Sequence, residues 1–383
     1  MDAEYLCKQI AHLSGVPVRL YEGGKQVFSY SVASLTVDPF EAHRKEVFAI
    51  KKHIGYYITA HDTYYGVVRS GETRIVLGPT SQIPLPDQTL HDIAFRIGVK
   101  KEEVADFIGD SLALAQKAAK TDADIIVLCG VHFMAETAKI LCPDKKVLIP
   151  DVNAGCSLAD SCKAADLKAW KEAHPGYKVI SYVNTSADVK ALTDIVVTSS
   201  NALKIVQSIP ADQPVLFGPD HNLGQYICQM TGREMALWDG ACHVHSRFSV
   251  EALITLKKEH ADAPVLAHPE CKQAILTLAD VIGSTQALLN YVKQHPETKK
   301  FIIATETGVL HEMQKACPDA LFLPVPPEVT ESVGCMCNEC EYMRMVTLDK
   351  LYNCLKDEAP EVHVDETIAQ QALFPIQRML ELS

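Results

Sequence analysis

The chain has 383 residues, 48% of them hydrophobic and 22% charged, with a formal net charge of −12 from 48 acidic against 36 basic residues. That length holds two or three cored domains of a soluble protein, and the acidic balance argues against nucleic acid or an anionic membrane as a main partner. No apolar run reaches the ~18–20 residues of a membrane span, and Met1-Asp2-Ala3-Glu4-Tyr5 is too acidic for a secretory signal. A cytoplasmic location is therefore expected, where thirteen cysteines point to metal binding or catalysis more than to disulfides.

Residues 1–98 read as a small α+β segment. Leu13-Ser14-Gly15-Val16-Pro17-Val18-Arg19-Leu20-Tyr21 followed by Gly23-Gly24-Lys25 predicts a helix and a β-hairpin, with further strands at Tyr56-Tyr57-Ile58-Thr59 and Tyr65-Gly66-Val67-Val68. Beyond residue 100 one plan recurs three times. Ala105-Asp106-Phe107-Ile108-Gly109-Asp110-Ser111, Thr193-Asp194-Ile195-Val196-Val197-Thr198-Ser199-Ser200 and Ala279-Asp280-Val281-Ile282-Gly283-Ser284-Thr285 each carry x-Asp, an apolar run and a Ser/Thr at the N-cap position of a helix.

About twenty residues later comes a stronger strand, Ile125-Ile126-Val127-Leu128, Pro214-Val215-Leu216-Phe217 or Phe301-Ile302-Ile303-Ala304. A last short strand and then a cysteine follow in each case. This alternation predicts parallel α/β units: three pseudo-symmetric α/β domains at 101–175, 176–260 and 261–383, the third with C-terminal helices.

The second and third units also open with a strand, Lys178-Val179-Ile180-Ser181-Tyr182-Val183-Asn184 and Pro264-Val265-Leu266-Ala267-His268-Pro269-Glu270. The first unit needs its counterpart near residue 90. There Gln88-Thr89-Leu90-His91-Asp92-Ile93-Ala94-Phe95-Arg96-Ile97-Gly98 reads as a helix, so the first unit is expected to lack its opening strand.

Cys156, Cys242 and Cys340 follow the last strands of the three units, 86 and 98 residues apart along the chain. Loops after strand C-termini form the ligand face of α/β units, so one thiolate from each unit can reach a common axis. Three thiolates suit a [4Fe–4S] cluster with one iron left free of protein ligands, able to act as a Lewis acid. Cys335-Met336-Cys337-Asn338-Glu339-Cys340 leaves alternatives open: a zinc site with His243 or His245, replacement of Cys340 by Cys335 or Cys337, or a redox pair. Cys129, Cys142, Cys228, Cys271, Cys317 and Cys354 read as small core hydrophobes. His132, His243 and His245 read as structural.

Several strings resemble the quinolinate synthase family: Gly130-Val131-His132-Phe133-Met134-Ala135-Glu136-Thr137-Ala138-Lys139-Ile140-Leu141, Ala154-Gly155-Cys156-Ser157-Leu158-Ala159-Asp160, Tyr182-Val183-Asn184-Thr185-Ser186-Ala187, Thr198-Ser199-Ser200-Asn201, Gly240-Ala241-Cys242, His268-Pro269-Glu270 and Val362-His363-Val364-Asp365-Glu366. The resemblance runs from about Glu102 to Leu382. It implies three pseudo-symmetric α/β domains around a [4Fe–4S] cluster held by Cys156, Cys242 and Cys340. It also implies condensation of iminoaspartate, with L-aspartate oxidase as supplier, and dihydroxyacetone phosphate to quinolinate for NAD synthesis.

Substrate-binding positions carry over onto Ser111, Tyr182, Val183, Asn184, Ser199, His268, Pro269, Glu270 and Thr285, with Tyr182, His268 and Glu270 as the catalytic groups. Ser111, Ser199 and Thr285 lie at helix starts, where backbone amides favour carboxylate or phosphate. Tyr182, Asn184, His268 and Glu270 can supply acid–base groups.

The family normally opens with a strand ending in an Ala-His-x-Tyr turn, and this is the element missing here. Residues 1–98 instead resemble the PAS-like sensory segment of AraC-type regulators. Tyr57-Ile58-Thr59-Ala60-His61-Asp62-Thr63-Tyr64 imitates the missing turn, so replacement by His61 and Tyr64 stays open. Rival readings are an iron–sulfur sensor fused to a ligand-binding segment and a zinc-stabilised binding protein.

Overall fold

The computed structural model describes six strands between Val18 and Pro79, and then residues 105–328 and 338–383. The expected elements at 13–16 and 88–98, the side chains of His61 and Tyr64, and Cys335 and Cys337 lie outside the described residues. The chain divides into two units, residues 1–106 and 107–383.

In the first unit β1 (Val18–Glu22) and β2 (Lys25–Tyr30) form the expected hairpin. β3 (Val47–Lys52) lies parallel to β1 and begins an antiparallel run through β4 (Gly55–Ala60), β5 (Thr63–Val68) and β6 (Ile75–Pro79). The sheet order is β2-β1-β3-β4-β5-β6.

The second unit is α/β with parallel sheets. Two of its sheets have four strands and matching orders. β10 (Ile195–Val197), β9 (Lys178–Tyr182), β11 (Val215–Gly218) and β12 (Ala236–Leu237) form one. β14 (Val281–Ile282), β13 (Val265–Ala267), β15 (Lys300–Ala304) and β16 (Leu321–Pro324) form the other. In both, the opening strand lies between the x-Asp strand and the central strand. Their near-continuous Val/Ile/Leu runs match sheets covered on both faces.

The recurring aspartate has a structural cause. Asp194 Oδ2 accepts from the Val179 amide at 2.7 Å, and Asp280 Oδ2 accepts from the Val265 amide at 2.8 Å. Each aspartate's own N–H returns a bond to the carbonyl of the same residue, at 2.9 Å in both cases. The side chain thus seals the first rung between x-Asp strand and opening strand, where a backbone amide would otherwise lack a partner.

Among the described residues the remaining sheet has two strands, β7 (Ile125–Val127) and β8 (Lys146–Leu148). Phe107 and Ile108, expected as a strand, are not one. Phe107 is 42% and Ile108 38% exposed, and Ile125 across the gap is 37% exposed. Their counterparts Ile195, Val196 and Val215 are buried, because β9 lies between them. No described strand fills that position here.

The C-terminal helix Glu366–Leu382 carries Ala372, Ile376 and Met379 into the core shared by the first two sheets, against Val196 and Ala187. The third sheet has separate cores on its two faces, one around Phe248 and Ile302 and one around Phe301 and Leu288. No helix among the described residues is long and apolar enough to cross a membrane.

Asp194→Ala removes a half-buried acceptor and leaves the Val179 amide unpaired. A loss of about 1–3 kcal/mol is expected in urea unfolding. Asp280→Ala should cost less, because Asp280 is exposed. Equal, negligible effects would contradict the sealing role.

Candidate active site

The strand ends place the side chains. Tyr182 ends β9, Thr198 and Ser199 follow β10, and His268, Pro269 and Glu270 follow β13. Tyr182 Oη donates to Glu270 Oε1 at 2.6 Å, joining the second and third sheets. His268 Nε2 lies 3.2 Å from Ser199 Oγ, and His268 Nδ1 lies 3.6 Å from Glu270 Oε1. Asn222 Nδ2 donates to the Glu270 carbonyl at 3.1 Å and holds the turn.

His245, read from sequence as structural, stands inside this network. Its Nδ1 is 3.1 Å from Glu270 Oε2 and 3.2 Å from Cys242 Sγ, and its Nε2 is 3.1 Å from Thr305 Oγ1. Its ring stacks on His268 with centroids 4.7 Å apart. The string Cys242-His243-Val244-His245 contained the signal, since a histidine three residues from a cysteine can turn back onto it.

Burial governs the protonation states. Burial pushes Glu270 up, but His245, His268 and the bonds from His245 and Tyr182 outweigh it and hold the carboxyl at about 2. Burial lowers His268 to about 4 against the pull of Glu270, so its imidazole is neutral near pH 7. Burial and the Glu270 charge push Tyr182 well above the usual phenol range. The network is therefore a neutral phenol and a neutral imidazole around an ionised carboxylate.

The three cysteines share one local geometry. The Cys156 sulfur takes backbone N–H bonds from Leu158 and Ala159, Cys242 from Val244 and His245, and Cys340 from Tyr342 and Met343. In each case the donors are two and three residues downstream. Cys156 and Cys340 are also the N-caps of the short helices Ser157–Asp160 and Glu341–Arg344. Amides aimed at sulfur are what a thiolate ligand needs, and they tune an iron–sulfur centre. Burial nonetheless pushes Cys156 up to about 11 and raises Cys242 and Cys340. Their thiols hold protons until a metal displaces them.

Asp220, absent from the sequence candidates, fixes one ligand loop. It is fully buried and accepts from the Cys242 amide at 3.0 Å and the Leu223 amide at 2.8 Å. Glu306 Oε1 does the same for the Cys340 amide at 3.2 Å. Ser157 Oγ lies 2.6 Å from His243 Nδ1, and the Tyr342 ring meets the His243 ring edge-on at 5.9 Å. His243 thus links the loops of all three cysteines. A cavity of about 390 Å³ opens beside Cys156, lined by His132, Phe133, Glu136, Ser186 and Asp188 among others.

The remaining candidates differ in kind. The N-caps are Asp110, Asn201 and Ser284, with Asp110 and Ser284 bonding the third amide on. Ser111 and Thr285 are first helical residues instead, which leaves their hydroxyls without capping duty. Asn184 is half-buried. Val183 buries its side chain in the core, and its amide and carbonyl bond Val197 and Thr185. Pro269 is buried in the turn between His268 and Glu270.

Fold and site together define an α/β enzyme with three cysteine loops tied through His243 and a buried acid–base network beside Cys242. A family model described as quinolinate synthetase A protein matches residues 99–381, and the chain belongs to that family. Relatives named quinolinate synthase are 56% identical in Microcystis aeruginosa and 53% in Synechocystis, each over 282 residues, 74% of this chain and 87% of the relative. The relative of that name in Nostoc punctiforme is 56% identical over 74% of this chain and 86% of its own length.

A proton NMR titration checks the protonation state of His268. Its ring signal should hold the neutral shift down to about pH 4. A midpoint near the ordinary ~6.5 of a free imidazole would contradict the burial.

Proposed function

We propose that this quinolinate synthase condenses iminoaspartate with dihydroxyacetone phosphate, releasing phosphate and two waters, with an L-aspartate oxidase as the source of the imine and the cytoplasm as the setting. The observation that carries the reading is the Tyr182–Glu270–His268 network (Tyr182 Oη to Glu270 Oε1, 2.6 Å) bonded through His245 to Cys242. The reaction moves several protons during imine formation, tautomerisation and dehydration, and it needs neutral donors beside a fixed base.

Cys156, Cys242 and Cys340 would hold the [4Fe–4S] cluster, and their repeated amide-to-sulfur geometry fits it. When bound, the group supplies a Lewis-acidic iron for a substrate oxygen. The protein's own residues do the rest. Tyr182 presents a proton at Oη, which Glu270 orients and can replace. His268, neutral and anchored by Ser199, exchanges a proton at Nε2. Ser111 and Thr285, at the starts of ten-residue helices, give hydroxyls beside free backbone amides for the substrate carboxylates or the phosphate.

Two measurements test this. Anaerobic reconstitution with iron and sulfide, followed by assay with both substrates, should give quinolinate. Glu270→Gln should lower kcat by about 10²–10⁴ while keeping the visible cluster band. A cluster-loaded chain that makes no quinolinate contradicts the proposed reaction. Separately, Cys340→Ser should abolish the cluster band, and the double replacement Cys335→Ser, Cys337→Ser should leave it. The reverse pattern would move the third ligand.

A further inference from the structure

Lys190 lies in the short helix Ala187–Ala191 with no exposed surface. Among the described residues it is the only lysine or arginine that is buried. An ammonium group taken out of water is costly unless paired and hydrogen-bonded. Its partners are therefore informative. Nζ donates to the Thr185 carbonyl and lies 5.5 Å from the centroid of the Phe133 ring.

Thr185 closes the turn that begins at Tyr182. Its Oγ1 donates to the Tyr182 carbonyl at 3.0 Å, and its amide donates to the Val183 carbonyl at 2.8 Å. The Val183 amide in turn donates to Val197 at 2.7 Å. Glu136 secures the same helix from the first sheet's side, its Oε2 accepting from the Ala187 amide at 3.0 Å.

Burial pulls Lys190 down to about 8, while Glu136 and then Cys156 favour its charged form. The ammonium therefore lies against the turn that aims Tyr182 and Asn184, over the Phe133 ring, and Phe133 lines the same cavity as Cys156. No step of the proposed reaction uses it.

We propose that Lys190 is a positioning residue that locks the Tyr182–Thr185 turn through the Thr185 carbonyl and places a buried positive charge beside the Cys156 corner of the cluster site. The second half rests on the cluster reading above, whereas the first does not. A lysine suits both tasks, since its compact ammonium donates to a carbonyl and carries a full positive charge. A positive charge there favours the more reduced, more negative state of an iron–sulfur centre.

Two variants test it, Lys190→Met, which keeps length and removes charge, and Glu136→Gln, which removes the opposing charge and keeps an acceptor for Ala187. In metal-free protein, hydrogen exchange at the Val183 and Thr185 amides should rise at least about tenfold in Lys190→Met. In reconstituted protein, the cluster potential should move negative in Lys190→Met and positive in Glu136→Gln. Each shift should be of the order of a tenfold change in reduced-to-oxidised ratio, about 59 mV for one electron.

Wild-type exchange at the turn together with unchanged potentials in both variants overturns the proposal. The exchange experiment needs no cluster, so failure of the cluster reading alone leaves a distinct signature. If Lys190→Met does not fold, Lys190→Gln, which keeps a donor for the Thr185 carbonyl and removes the charge, takes its place: a negative shift supports the charge role and an unchanged potential overturns it.

Discussion

Ionisable groups crowded into a buried centre are the constraint on which the rest of this structure depends. Glu270 is buried and ionised, with the Tyr182 phenol on Oε1 and the His245 imidazole on Oε2, while His268 lies 3.6 Å away and accepts from the Glu270 amide. A carboxylate in that position is tolerable only when every lone pair has a donor. Tyr182 and His245 follow strands of the β9 sheet whereas Glu270 follows β13, so the fold must bring β9 and β13 together before the site can exist. The aspartate seals at Val179 and Val265 serve that end, because each fixes the start of the strand whose end carries the chemistry.

The thiols add a second layer to the same constraint. Each receives two amides from the residues just after it, whatever sheet precedes it. Asp220 and Glu306 brace two of the three loops by accepting the cysteine amides, and His243 ties the loops to one another. Such bracing is what keeps ligands in place when a metal is lost and regained. Lys190 serves both layers, since it bonds the turn that follows Tyr182 and stands over Phe133 on the Cys156 cavity.

Much of this was legible in the sequence because the repeat is written in residues with strict structural duties. Aspartate 15 residues after an opening strand recurs because its carboxylate takes one particular amide. The cysteines recur because they follow the last strand of each unit. The helix caps were legible only to within a residue, since Asp110, Asn201 and Ser284 compete with their Ser/Thr neighbours for the same role. His245 was hidden by the general preference for structural histidines. Lys190 had no sequence signal at all, because a lysine in a short helix is ordinarily solvated, and what buries it is the packing of its helix against the C-terminal helix and of its ammonium over Phe133. A gap in the repeat was visible before residue 101, and among the described residues no strand lies beside the exposed Phe107, Ile108 and Ile125 in the place that β9 takes in its own sheet.

The central proposal is that the thiols of Cys156, Cys242 and Cys340 would hold one cluster, leaving one iron without a protein ligand to take a substrate oxygen. Mössbauer spectroscopy of protein reconstituted with labelled iron, recorded with and without quinolinate, tests it most directly. The account predicts four irons per chain, of which one alone changes its isomer shift when the dicarboxylate is added. Irons that all respond alike, or a chain that binds a single metal ion in place of a cluster, would contradict it.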